Sequence, residues 1–372
     1  MLEELKKGFR QQQTQQVIDS RPALAKPFVF KDAGFCPATT CPSGDSTIRL
    51  AWQHDPTIPD HIEASKEGAW AVVKVPSPHE PFSMLTRNRN TDTLISALIQ
   101  DGKVFDVPVR QILLDSLLRS KNKDKSSEPP IFIDIGANIG YFSSTALAVG
   151  ARVISFEPFF GNAGSFMSTV RKNKWQDRST LYMNAVSYES VRVTMKSTND
   201  KINLSNMHIT SSNCVTNETA QATGTYGIDY MDAVSLDQVM FERHADIEHV
   251  DLIKIDVETH EVQVFNGAMY FLCNRRVDRI IVEVEYLKSV HGLGKCKFPD
   301  LQDRLERMGF SMFDSTMKIN RTGMSFENFP SADAVFSQNF PNESPANRLR
   351  GTFDNPCADF DLGSTTSSSQ QG

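Results

Sequence analysis

The chain lacks a long apolar run: nothing in it approaches the ~18 consecutive apolar residues of a membrane-spanning helix. Its first twenty residues, MLEELKKGFRQQQTQQVIDS, also lack the apolar core of an export signal. These two absences predict a soluble, cytoplasmic protein with no membrane partner. A basic excess is missing too. Lys and Arg number 39 against 45 Asp and Glu, a net charge of −6, and no basic run is interleaved with aromatics. Phosphate neutralisation needs the opposite balance, so nucleic acid is not expected as a partner. The six cysteines (Cys36, Cys41, Cys214, Cys273, Cys296, Cys357) form no CxxC pair. That spacing argues against a zinc site and a dense disulfide framework, leaving scattered reduced thiols as the expectation. Four Asn-x-Ser/Thr sequons start at Asn203, Asn217, Asn320 and Asn342, and without an export signal they carry little weight. No internal repeat of fixed period is present.

What the chain does have is an ordinary globular composition, 372 residues with 40% hydrophobic and 23% charged. Residues 1–66 are Gln-rich, then Pro-, Thr- and Asp-bearing, and read as a poorly ordered or family-specific extension. Residues 67–130 form a lead-in. TDTLISALIQDGK and VPVRQILLDSLLRS place apolar residues at helical spacing, with Leu113, Leu114, Leu117 and Leu118 on one face, and KNKDKSSEPP follows as a linker. The tail 344–372, ending STTSSSQQG, reads as disordered.

Between Ile131 and about residue 340, short apolar runs alternate with amphipathic segments. IFID and RVISFE are the first two strands. IGYFSSTALAVG is the helix between them, capped by Gly150, and Asn162 is placed to cap the next helix. LYMNAV, VDLIKID, RIIVEVE, FSMFD and DAVF supply five more strands. Such alternation predicts an α/β fold, a largely parallel sheet with helices on both faces. A ligand then belongs at the C-terminal strand ends, near the topological switch point.

Four strand ends carry the chemistry. In Ile131-Phe132-Ile133-Asp134-Ile135-Gly136-Ala137-Asn138-Ile139-Gly140, a strand runs into an acid and a glycine turn opens a helix. This is a cofactor loop: the glycines let a ligand approach the backbone. Asn138 stands where a dinucleotide fingerprint needs its second glycine, and Asp134 repels phosphate but suits a cationic group such as an α-ammonium. Glu157 closes the second strand, 23 positions after Asp134, where an acid accepts both hydroxyls of a ribose; the Phe159 ring that follows is placed to cover a nucleoside. Asn184 and Ala185 end the third strand and are candidates for an adenine edge. The fourth ends in Lys254-Ile255-Asp256-Val257-Glu258-Thr259-His260-Glu261, three acids and a histidine where a substrate would meet the cofactor.

The runs IFIDIGANIGYFS, VISFEP, Asn184-Ala185-Val186-Ser187, VSLDQV and LIKIDVETHE with Asn266-Gly267-Ala268, in that order over roughly residues 92–337, resemble the FkbM family of S-adenosylmethionine-dependent methyltransferases. The resemblance implies a class I methyltransferase fold, a Rossmann-like seven-stranded sheet whose last strand is antiparallel. It implies methyl transfer to a hydroxyl of a sugar or other small hydroxylated metabolite. Asp134, Gly136, Asn138 and Gly140 match the loop around the methionine part, Glu157 the ribose acid, and Asp256 the acid near the transferred methyl. Glu283 occupies a position that is typically acidic in the family. Thr259 stands where the family usually has glycine, and the polar segment Ser187 to Tyr230 is longer than the family hairpin, an insertion able to frame the acceptor.

Asp256 and His260 are the candidate general bases. A divalent metal held by Asp256 with Glu258 or Glu283 is the alternative way to activate a hydroxyl, and the sequence leaves it open. Two competing readings stand beside this one: a nicotinamide oxidoreductase on the same architecture, which Asn138 opposes, and a non-catalytic module that keeps the S-adenosylmethionine pocket, suggested by Thr259.

Overall fold

Where both faces of a strand are covered, successive residues must all be apolar, because neighbours point to opposite faces. The run Phe132-Ile133 meets this condition: both side chains are fully buried. The computed structural model describes residues 68–123, 128–197, 207–211, 229–258, 260–284, 298–324, 329–338, 344–345 and 357. The 1–66 extension lies outside them, as does Thr259.

In chain order, a hairpin of β1 (Ala69–Val73) and β2 (Phe82–Thr86) precedes helices α1 (Ile95–Gln100) and α2 (Val107–Lys123). The alternation then runs β3 (Ile131–Ile135), α3 (Tyr141–Ala148), β4 (Arg152–Phe156), α4 (Phe160–Lys172), β5 (Ser179–Tyr182). Four strands follow, β6 (Ala185–Val186), β7 (Val191–Ser197), β8 (Met207–Ser211) and β9 (Asp229–Val234), then α5 (Leu236–Arg243). The last part is β10 (His249–Val250), β11 (Leu252–Ile255), α6 (Glu261–Asn266), α7 (Met269–Asn274), β12 (Arg276–Val277), β13 (Arg279–Glu283), α8 (Phe298–Arg307), β14 (Phe310–Asp314) and β15 (Asp333–Gln338).

The central sheet has seven strands in the order β14-β15-β13-β11-β3-β4-β5. Only β15 runs antiparallel, and it does so against both of its neighbours. This is the expected Rossmann-like sheet with its reversed last strand. The strand order reverses between the parallel neighbours β3 and β11, so the C-terminal ends of β3, β4 and β11 frame the switch point at which ligands of such sheets bind. The lead-in is not a separate body. Ala71, Phe82, Met84, Ile99, Leu113 and Leu117 share one apolar core with Phe132, Phe142 and Phe166. Thr169 on α4 also accepts the Leu85 amide of β2 at 2.9 Å.

Four sequence expectations are corrected. LYMNAV is not one strand: β5 ends at Tyr182 and β6 begins at Ala185 in a second, four-stranded sheet ordered β6-β9-β7-β8. The segment read as an insertion supplies β7 and β8 of that sheet. Asn162 is not the cap of α4. That helix starts at Phe160 with Phe159 as its N-cap, and Asn162 lies in its first turn. Gly150, by contrast, ends α3 as expected, with φ +91° and the Ala151 amide bonded to the Ala146 carbonyl at 3.0 Å. The third correction concerns thiols: Cys273 of α7 and Cys357 form a disulfide across 84 residues. The fourth follows from it, since Cys357 is fully buried and the tail read as disordered is fixed at that point.

Candidate active site

The first turn after β3 is built by close packing. Gly136 has φ +83°, and a Cβ there would fall 1.8 Å from the Asp256 carbonyl oxygen. Gly140 has φ +81°, and its Cβ would fall 2.1 Å from the Phe166 ring. The sequence reading gave these glycines to ligand approach; the structure gives each a protein neighbour. They bring β3, β11 and α4 close enough to share one cavity. Asn138 itself adopts φ +52°, a left-handed conformation that Asn tolerates better than most residues.

Glu157, at the end of β4, is 5% exposed and is held by the backbone. One carboxylate oxygen accepts the Asn138 amide at 2.8 Å, and the other accepts the Phe159 amide at 2.9 Å and the Asn162 side-chain amide at 3.3 Å. Burial pushes its pKa up, against these donors and the nearby Arg87 charge. Asn162 turns its Oδ1 into buried space with no partner, although the residue is only 2% exposed. An orphaned buried acceptor beside a buried carboxylate is what a hydroxyl- and amine-bearing nucleoside would satisfy. The Phe159 ring does not line the cavity; it lies under the Arg87 guanidinium at 5.1 Å.

A cavity of about 190 Å³ opens here, lined by Gly136 to Ile139, Glu157, Pro158, Asn162 and Asn184 to Val186 at the start of β6. Asn184 donates its side-chain amide to the Asp232 carbonyl at 3.0 Å. Leu94, Ile95 and Phe105 of the lead-in close one wall, a contribution the sequence did not reveal.

The other half of the cavity is charged. Lys254 pairs in register with Asp134 on the neighbouring strand. On a strand, residues two apart share a face, so Lys254 and Asp256 point the same way. Lys254 donates to Asp256 at 2.7 Å, with 6% of its side chain exposed, and its ammonium lies 5.2 Å from the Phe142 ring centroid. Burial pulls the Lys254 pKa down, but Asp256, Asp134 and Glu283 outweigh it and hold the group firmly charged. Asp134 is fully buried, accepts from the Ser143 hydroxyl at 2.6 Å, and sits behind the cavity wall rather than on it. Its cationic neighbour is Lys254, the functional residue the sequence reading quoted but did not assign.

Asp256, Glu258 and Glu283 each place a carboxylate oxygen within 4.8 Å of the others, a donor set suited to a hard cation. Burial first, then Asp256 and Glu261, raise Glu258 to about 8. Burial, Asp256 and Glu258 push Glu283 well up, and it shares a hydrogen bond with Asp256. His260 is elsewhere. It is the N-cap of α6, its Nε2 lies 3.0 Å from the Ser187 hydroxyl, and burial lowers its pKa to about 4. It is not among the residues lining the cavity. None of the described residues between Ser187 and Tyr230 lines it either.

Two of the quoted motifs prove architectural. Asp237 of VSLDQV accepts the Tyr270 and Phe271 amides at the start of α7, at 3.1 and 2.7 Å. Gly267 of Asn266-Gly267-Ala268 packs where a Cβ would fall 2.0 Å from the Ser187 carbonyl oxygen.

Residues 134–312 match the family described as the methyltransferase FkbM domain. The chain carries an FkbM methyltransferase domain. The match begins at Asp134 and ends within β14, so it includes Glu157 and the acidic cluster but not the wall that Leu94, Ile95 and Phe105 supply. The nicotinamide reading falls with it. A match to this methyltransferase family implies use of S-adenosylmethionine, and the buried Glu157 carboxylate and orphaned Asn162 oxygen fit that molecule. No curated protein matches the chain. Among solved structures it is similar to WbdD, at 14% identity over 67% of this chain and 44% of that one, TM-score 0.37. A related WbdD structure is described as a bifunctional kinase-methyltransferase. Similarity also extends to a precorrin-6y C5,15-methyltransferase from Geobacter metallireducens, at 12% identity over 61% of this chain and 85% of that one, TM-score 0.29. The METTL16 methyltransferase domain gives 11% identity, 62% and 66% coverage, TM-score 0.31. The chain thus spans less than half the length of the WbdD structures it matches, and scores of this size add nothing to the strand order.

Proposed function

We propose that this protein transfers a methyl group from S-adenosylmethionine to a hydroxyl of a sugar or other small hydroxylated metabolite. The observation that carries the reading is the division of one cavity into a backbone-held carboxylate, Glu157, and a charged cluster on the tips of β11 and β13. When bound, S-adenosylmethionine supplies a methyl group already activated by its sulfonium. Glu157 and Asn162 are the residues to hold the ribose, and the turn from Gly136 to Asn138 the residues to meet the methionine part.

The chain's own chemistry is then positioning and proton removal. Asp256 is committed to Lys254. Glu258, with a pKa near 8, exchanges a proton close to neutral pH and is the group best suited to take the hydroxyl proton on a carboxylate oxygen. Lys254 keeps the cluster from accumulating negative charge and so favours an acceptor oxygen that is losing its proton. Four acids facing one cavity also favour an uncharged or cationic acceptor over a phosphorylated one.

Calorimetric titration with S-adenosylhomocysteine tests the cofactor half. Folded protein should bind, and Glu157→Ala should weaken binding by about 10- to 100-fold, the value of one or two hydrogen bonds to a charged group. Unchanged affinity in that variant would sink the assignment of Glu157. Radiolabelled methyl transfer to a panel of glycans and small alcohols tests the acceptor half, and binding without product in any fraction would favour the non-catalytic module.

A further inference from the structure

Two features of the chain are unused by the methyl-transfer reading: the Cys273–Cys357 disulfide and the sequon Asn320-Arg321-Thr322. We propose that Asn320 is an N-glycosylation acceptor and that the protein folds in an oxidising compartment.

The disulfide is the first observation. Both sulfurs belong to fully buried residues, one on α7 beside the core and one in the tail. Joining them removes two electrons and two protons from a pair of thiols, which a disulfide-donating oxidant must accept. Compartments that hold such oxidants keep structural disulfides, and the reducing cytosol does not. The same compartments in eukaryotic cells carry the asparagine-glycosylation machinery, so a sequon there has a meaning that it lacks in the cytosol.

The sequon's own geometry is the second observation and is independent of the first. After β14 the chain turns back and lies along the outer edge of that strand, which is the edge of the seven-stranded sheet. Asn320 bridges to Phe313, and the Arg321 amide donates to the Met312 carbonyl at 2.6 Å. Arg321 pairs with Asp314 at 3.3 Å and fixes the turn. Asn320 itself is exposed, as is Thr322. The Asn320 Oδ1 accepts the Thr322 amide at 2.9 Å, an Asx turn that engages the oxygen of the side chain and not Nδ2. Among the described residues, Nδ2 donates no hydrogen bond. No described residue from β14 to β15 lines the cavity, so a glycan at Asn320 leaves the described cavity open. It would also cover the sheet's edge strand, where a bulky polar group blocks edge-to-edge pairing.

In the reaction, Nδ2 forms a bond to the anomeric carbon of a polyisoprenyl-diphosphate-linked oligosaccharide. The carbon–oxygen bond to phosphate breaks, its electron pair leaves with the diphosphate, and one Nδ2 proton passes to a base of the transferring enzyme.

The test is peptide mapping of the full chain isolated from its own cells. Enzymatic deglycosylation in heavy-oxygen water should convert Asn320 to labelled Asp, and alkylation without reduction should leave Cys273 and Cys357 unmodified and cross-linked. Asn320→Gln should remove the label at that position. Thr322→Ser, which keeps the sequon, should retain it and guards against a misfolding explanation. An unlabelled Asn320 in the natural protein overturns the proposal, as does recovery of Cys273 and Cys357 as alkylated free thiols. Neither result bears on methyl transfer, so the two readings fail separately.

Discussion

The two halves of the cavity are built by different physics. On the Glu157 side, backbone amides do the work: Asn138 and Phe159 point their N–H groups at one carboxylate, and two glycines with positive φ set the distances. On the Lys254 side, geometry is set by charge. One buried ammonium faces Asp134, Asp256 and Glu283, which together hold it charged, while Asp256 and Glu258 help burial push Glu283 up. The first half is rigid because its donors are fixed by the fold. The second is tunable, because the charges on Lys254, Glu258 and Glu283 are each set in part by their neighbours. The proposed methyl transfer, with a constant cofactor in one half and an acceptor in the other, would use this division.

The most drastic way to break the comparison is at the seam between the halves. Gly136→Ala puts a methyl group into the Asp256 carbonyl at a backbone angle that alanine tolerates poorly. Stability should fall by about 4 kcal/mol or more, read from chemical denaturation, because strain and a core clash act together. A midpoint within experimental error of the parent would mean that β3 and β11 are not packed as described.

Lys254→Met tests the charged half alone. It leaves buried carboxylates without their counter-charge, and breaking such a pair costs about 3–5 kcal/mol. Methyl transfer should be lost, while affinity for S-adenosylhomocysteine, set by the other half, should drop much less. Equal losses of both would show that the halves are not separable.

The smallest effect sharpens the contrast through pH. Burial and its acidic neighbours raise Glu258 in the folded protein to about 8 from its ordinary value of 4.5, so the folded state holds the proton more tightly than the unfolded chain. Its contribution to stability is therefore complete below about 4.5 and is lost as pH rises through about 8. Glu258→Gln should flatten the fall in denaturation midpoint over that window. If Glu258 is also the base, the methyl-transfer rate should rise across the same window, and Gln should abolish that rise. A rate profile with no inflection near that value would move the base role to another group.

How much of this was legible in the sequence follows the same division. The strands, their order of appearance, the acid at the end of β4 and the glycine turn after β3 are local: each depends on alternation or spacing within a few residues. Asn162 shows the limit. Its residue type suits a helix cap, but the helix begins earlier and the amide serves Glu157 instead, a choice made by what lies opposite it. His260 shows it again. Its chemistry suits a base, yet the turn into α6 buries it against Ser187, two motifs away in the chain. The lead-in gave no hint that Phe105 would reach the cavity, since its helical spacing reports only that one face is covered.

The amino-acid sequence by itself determined the seven strands, the carboxylate at the end of β4 and the family that the domain matches, because period, turn chemistry and motif order are written along the chain. Tertiary structure alone decided that Lys254 governs the acidic cluster, that Gly136 and Gly140 serve packing, and that Cys273 finds Cys357. The reason is common to all three: close approach, burial and charge coupling belong to pairs of residues brought together from distant positions, and no local pattern encodes the partner.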